Sequence, residues 1–138
     1  EDFFRQAEET DLALRMLDAG YGCVDAPASV MYHKPSDVER NAARFKYYHH
    51  RNTSRTALRH WPMPHGLVKV GVNLLHGVHA GLRLHAPWLA PALARDALRD
   101  GLRALRRRDP VRRETLREFL ALSGRRRDGT AAQSWEWT

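Results

Sequence analysis

A mixed α/β head passing into a longer helical body is the fold class predicted by three features of the sequence. Two short extended-chain segments, Tyr21 to Asp25 and Ser29 to His33, stand on either side of Pro27 within the first forty or so residues. Apolar residues then recur every three or four positions from Val38 to Leu120, the period of helices with one buried face. At 43% hydrophobic and 28% charged, the 138 residues suit one globular unit and are too short for two. The expectation is therefore an α/β chain that is mostly helical.

Taken in order, Glu8 to Ala19 reads as a helix with acids in its first turn, where the free N–H groups and the positive dipole end favour them. Leu12, Met16 and Ala19 share one side, and Gly20 supplies the stop. The two extended segments follow. Ser36 and Glu39 then form a capping box, which predicts a helix starting near Asp37. Its apolar positions run through Val38, Ala42, Phe45 and Tyr48 to Ala57 and Leu58, and Trp61-Pro62-Met63-Pro64 ends it. Leu67, Val70, Leu74, Val78 and Leu82 form the stripe of the next helix. Pro87 interrupts, and Leu89 to Leu105 resumes the pattern with Leu93, Ala97, Leu98 and Leu102. Asp109-Pro110 reads as the N-cap and first residue of a last helix burying Leu116, Phe119 and Leu120. The division expected is a head over 1–62, a helical region over 63–123 and a loose tail over 124–138.

Charge is unevenly spread. Residues 1–40 hold nine acids and four bases, a net of −5, and residues 41–138 hold seven acids and nineteen bases, a net of +12. Clustered carboxylates suit acid/base or metal work, and a basic body suits phosphates or an anionic membrane surface. Nucleic acid is not expected, because the arginines are not interleaved with aromatics and no zinc-finger spacing occurs. The one cysteine, Cys23, excludes an internal disulfide framework and fits a reducing, cytoplasmic setting. No uncharged apolar run reaches the ~20 residues needed to span a bilayer.

Read from spacing alone, the acids Glu8, Glu9 and Asp11 either cap a helix or do chemistry. His33, at the end of an extended segment, is either a surface or core residue or a metal ligand through a neutral ring nitrogen. His76, His79 and His85 read as ordinary helix surface rather than a metal site, and Trp61 and Trp88 as packing anchors. The runs Arg106-Arg107-Arg108 and Arg125-Arg126-Arg127 are solvated helix ends or a surface for anionic lipid.

The order of Glu1-Asp2-Phe3-Phe4, Glu8-Glu9-Thr10-Asp11-Leu12, Arg15, Gly20-Tyr21, Pro27 and His33 resembles the C-terminal third of the catalytic domain of family 2 inverting glycosyltransferases. Tyr47-Tyr48-His49-His50 before Arg51-Asn52 is similar to the segment that follows in that family, most of all in galactofuranosyltransferases of actinobacterial cell-wall assembly; rhamnosyltransferase-like relatives share most of the pattern. The resemblance covers residues 1–62 and departs from the pattern at Gln6-Ala7, where an aromatic is common, and at Glu9, where the acid is commonly Asp.

The resemblance implies the end of a GT-A, Rossmann-like catalytic domain followed by a helical region, cut from a longer protein whose nucleotide-binding half lies upstream. It implies transfer of a sugar, with inversion, from a nucleotide-diphosphate donor to a glycan or lipid-linked acceptor. Without the upstream half, residues 1–138 would be inactive by themselves. Glu9 takes the position of the general base that removes the acceptor hydroxyl proton during a single in-line displacement. Glu8 and His49 would bind the acceptor. His33 would hold a divalent metal, Mn or Mg, at the departing diphosphate. Asp11, Arg15, Arg51 and Asn52 would be structural. A lipid-linked acceptor would place the protein at the inner face of the plasma membrane. The other reading, from a different class, is a non-catalytic basic helical module that binds an anionic membrane surface or a protein partner.

Overall fold

A computed structural model describes residues 7–22, 32 and 41–125. They form five helices, α1 (Glu8–Asp18), α2 (Ala42–His60), α3 (His65–Arg83), α4 (Leu89–Arg106) and α5 (Arg113–Arg125). No strand occurs among the described residues, so the expected α/β class is overturned in favour of an all-helical bundle. The GT-A expectation for residues 1–62 falls with it, since what is described there is α1 and α2. At the edge of the first expected strand, the Tyr21 N–H turns back to the Met16 carbonyl at 2.9 Å and the Gly20 N–H to Leu17 at 3.0 Å. Gly20, at φ 87°, thus closes α1 in a Schellman turn, and Tyr21 is used to finish a helix rather than to start a strand. Most of both expected strands, the Ser36/Glu39 capping box and His33 lie outside the described residues.

α2 starts later than the capping box predicts. Asn41 is extended and its side chain accepts the Arg44 N–H at 3.1 Å, an N-cap that fixes Ala42 as the first helical residue. The end falls where expected, with Trp61 extended ahead of Pro62. α3 ends in a second Schellman turn, Ala86 N–H to Gly81 O at 2.8 Å, with His85 in the left-handed region that glycine usually fills. Asp109 does not cap α5. Its N–H bonds to the Arg59 carbonyl, and Val111 bonds to that of His60, so the 107–112 segment is laced onto the end of α2 instead. Arg108 adds bonds to the carbonyls of Leu58 and Trp61, which takes it out of the solvated basic run.

α2, α3 and α4 pack on one another, and α1 packs on α2 and α5. Two apolar clusters hold these units. Leu14, Val111 and Leu116 meet under Trp61 and Phe119, and Ala80, Leu89 and Leu93 meet under Tyr47 and Leu74. Fully burying a leucine such as Leu14 or Leu89 contributes about 1.5–3 kcal/mol.

The helix faces differ from the sequence expectation. α3 buries its small and polar residues, Gly66, Asn73, Gly77, Ala80 and Gly81, and turns Leu67, Val68, Val72, Leu75, Val78 and Leu82 outward. Leu75 is 70% exposed and Leu82 74%. α4 likewise buries Asp96 and Asp100 beside Leu89 and Leu93 while Leu98 and Leu102 are exposed. α1 buries Asp11, Leu14 and Leu17 and exposes Leu12 and Met16, and Phe45 and Leu120 also face outward. At the start of α3 the approach to α2 is close enough that a Cβ on Gly66 would stand 2.7 Å from the Ala57 carbonyl oxygen, so no larger residue fits there.

Candidate functional site

The acids of α1 divide into two sets. Asp11 is buried, with Oδ2 3.0 Å from the Arg15 Nε and Oδ1 3.0 Å from the His60 Nε2. The His60 contact is close, but the two atoms are not aligned as a hydrogen bond. His60 is itself fully buried, and its Nδ1 lies 2.8 Å from the Asp109 carbonyl. Burial works to raise the Asp11 carboxyl, but His60 and Arg15 together hold it below its usual 3.8. This chain of contacts ties α1 to the end of α2 and to the 107–112 segment. Asp18 ties α1 to α5, accepting from the Thr115 hydroxyl at 2.7 Å and the Arg112 N–H at 2.9 Å.

Glu8 and Glu9 stand apart from this. Both are exposed at the first turn of α1. Directly before them, Ala7 is buried in the left-handed region at φ 66°, a conformation costing a non-glycine residue about 1–2 kcal/mol. Strain of this kind is often kept where geometry serves a site.

The other residues singled out in the sequence lie elsewhere. His49 is exposed on α2, eleven residues before His60, or about 16 Å along the helix axis, and the structure does not bring it to the α1 acids. Its imidazole is held below 6.5 by partial desolvation, then by Lys46, Lys69 and His76. Asn52 is fully buried in α2. Arg51 faces α4, with Nε 3.3 Å from Asp96 and 3.8 Å from Asp100. Arg15 pairs with Asp11 one turn back on its own helix.

Sequence reasoning missed the polar seam between α2 and α4. Tyr47 donates its hydroxyl to Asp96, Arg55 Nε donates to Asp100 at 2.8 Å, and Arg95 reaches Asp96 at 3.1 Å. Burial raises Tyr47, with Asp96 adding to the effect; burial also works to raise Asp96, but Tyr47, Arg95 and Arg51 bring it below 3.8. The spacing of Tyr47, Arg51 and Arg55 on one face of α2 was the available signal. A second polar knot joins α2 to α3, where Asn73 Nδ2 donates to Ser54 at 2.9 Å and Thr53 at 3.0 Å beside buried His50.

The divalent metal implied by the resemblance finds no ligand set in this bundle. Among the described residues no three His, Cys, Asp or Glu side chains come together, and His33 is not among them. Among the described residues, too, no helix is long and apolar enough to cross a membrane. No protein-family model matches the chain, and comparison with curated proteins and with solved structures returns no significant match.

Proposed function

We propose that these residues form the acceptor-side end of a sugar-transferring enzyme, with Glu9 as the general base. The observation that carries the reading is the division of α1's acids. Asp11 is used up by Arg15 and His60, whereas Glu8 and Glu9 face solvent at a strained helix start. In the complete enzyme that the sequence resemblance implies, the Glu9 carboxylate takes the proton of an acceptor hydroxyl as its oxygen attacks the anomeric carbon. The bond from that carbon to the diphosphate oxygen breaks, and the nucleotide leaves with the electron pair. Glu8 accepts a hydrogen bond from the same acceptor. Asp11 holds α1 in place and does not touch substrate.

Glu9→Gln in that enzyme keeps size and removes the basic oxygen, so turnover should fall by about 10²–10⁴ while donor binding persists. Near-normal turnover rules Glu9 out as the base.

A second reading is favoured by α3. Its outward stripe of Leu67, Val68, Val72, Leu75, Val78 and Leu82 is flanked by Lys69 and Arg83 and carries no acid. From residue 41 to residue 95 there is no Asp or Glu at all. Such a helix suits the surface of an anionic membrane, the apolar stripe entering the interface and the cations meeting head groups. A second copy of the chain is a poorer occupant, since it brings the same positive charge to the contact. The two readings are compatible through a lipid-linked acceptor.

A further inference from the structure

A cleft of about 360 Å³ opens between α2 and the C-terminal half of α4, lined by Arg55, Arg59, Arg103, Arg106, Arg107 and Asp100. Its size falls in the range of sites that take small ligands, about 300–1,000 Å³. Its charge is unusual. Five arginines and one carboxylate line it, and Asp100 is already engaged by Arg55 through Nε at 2.8 Å. No second acid lines the walls. Arg59, one of the lining residues, has its Nε buried without a hydrogen-bond partner.

Two ordinary explanations fall short. Arginines near a helix C-terminus are favoured by the dipole, which accounts for Arg59 in the last turn of α2 and for Arg103 and Arg106 in that of α4, but not for the two helix ends lining one concavity together with Arg55 and Arg107. Solvated surface arginines separate to reduce repulsion, whereas these share one concavity. Planar guanidinium forks match the oxygens of phosphate groups, which accept two parallel N–H bonds from each.

We propose that this cleft is a binding site for a phosphate-bearing ligand, a phosphate monoester or diphosphate. It is a separate site from the α1 glutamates and does not depend on their catalytic role. The shared chemistry is the doubly charged phosphate; its source is either a free phosphate ester or the head group of an anionic lipid.

Two probes separate these sources. Inorganic pyrophosphate is titrated into the protein by calorimetry, and sedimentation is measured with phosphatidylcholine vesicles with and without phosphatidic acid. Each is repeated with Arg103→Gln/Arg107→Gln and with Arg113→Gln/Arg117→Gln, a control pair exposed on α5 away from the cleft. Arg103 and Arg107 are exposed, so the fold is expected to persist, checked by an unchanged helical circular dichroism signal. Saturable one-to-one pyrophosphate binding that weakens by at least about tenfold in the cleft pair and not in the control pair supports the site with a free ester as ligand. Binding confined to phosphatidic acid vesicles, and lost only in the cleft pair, supports it with a lipid head group. Binding of neither probe, or equal weakening in both pairs, overturns the proposal.

Discussion

Lowering the pH from 7 to 5 should destabilise this fold chiefly through one imidazole. His50 is buried where α2 meets α3, and its Nδ1 has no hydrogen-bond partner. Burial, then the neighbouring His49, His76 and Lys46, push it down from 6.5 to about 4. Between those values the unfolded chain takes up a proton that the folded chain refuses. The stabilisation is therefore complete above about pH 6.5 and is lost progressively as the pH falls toward about 4. At about 1.4 kcal/mol per pH unit the total has a ceiling of about 3 kcal/mol, of which about 2 kcal/mol falls between pH 7 and pH 5. His49, also held low, acts in the same sense. The carboxylates of Asp11, Asp18 and Asp96 are held below 3.8, so their stabilisation is present above that value and is lost only at lower pH, outside this window. Urea unfolding followed by circular dichroism at the two pH values measures the difference. His50→Gln, which does not titrate there, should lose well under half as much as the parent. A parent whose stability is flat across the window, or a His50→Gln variant that falls as steeply, refutes the reasoning.

Helix packing and exposure give two further outcomes. Gly66→Ala should destabilise by about 1–2 kcal/mol, because overpacking against the backbone oxygen of Ala57, 2.7 Å from the new Cβ, outweighs the helix-propensity gain; Gly71→Ala, which meets nothing within 4 Å, should stabilise by about 0.5–1 kcal/mol, both read from urea midpoints. Val68→Ser/Leu75→Ser/Leu82→Ser should leave the fold intact, since all three are exposed, yet abolish sedimentation with anionic vesicles; unchanged sedimentation would remove α3 as a membrane-facing element.

The helical body was legible where punctuation is chemical. Pro62, Pro64 and Pro87 bound α2, α3 and α4 because a ring without an N–H cannot continue a helix, and Gly20 closes α1 because it accepts a positive φ. What could not be read was which face points inward. The 3.6-residue period assumes that apolar side chains are the buried ones. In this bundle Asp96, Asp100, Asn73 and His50 are buried because partners on a neighbouring helix meet or enclose them, and those partners are distant in sequence. The same limit applies to the candidate site. Three acids near the start of α1 look alike in the sequence, and only the arrival of His60 and Arg15 on Asp11 separates it from Glu8 and Glu9. Tyr21, read as the first residue of a strand, instead finds its hydrogen bond in the closing turn of α1.

Steady-state sugar transfer by the complete enzyme we propose tests that separation of the acids most directly, with Glu9→Gln and Asp11→Asn compared side by side. Loss of the Asp11 carboxylate should cost about 1–3 kcal/mol of stability by leaving its buried contacts unmatched, while turnover per folded molecule stays near the parent's. Glu9→Gln should do the reverse, keeping stability within about 0.5 kcal/mol of the parent's and cutting turnover by about 10²–10⁴. If Asp11→Asn abolishes turnover in fully folded protein while Glu9→Gln leaves it intact, the assignment of α1's acids is contradicted.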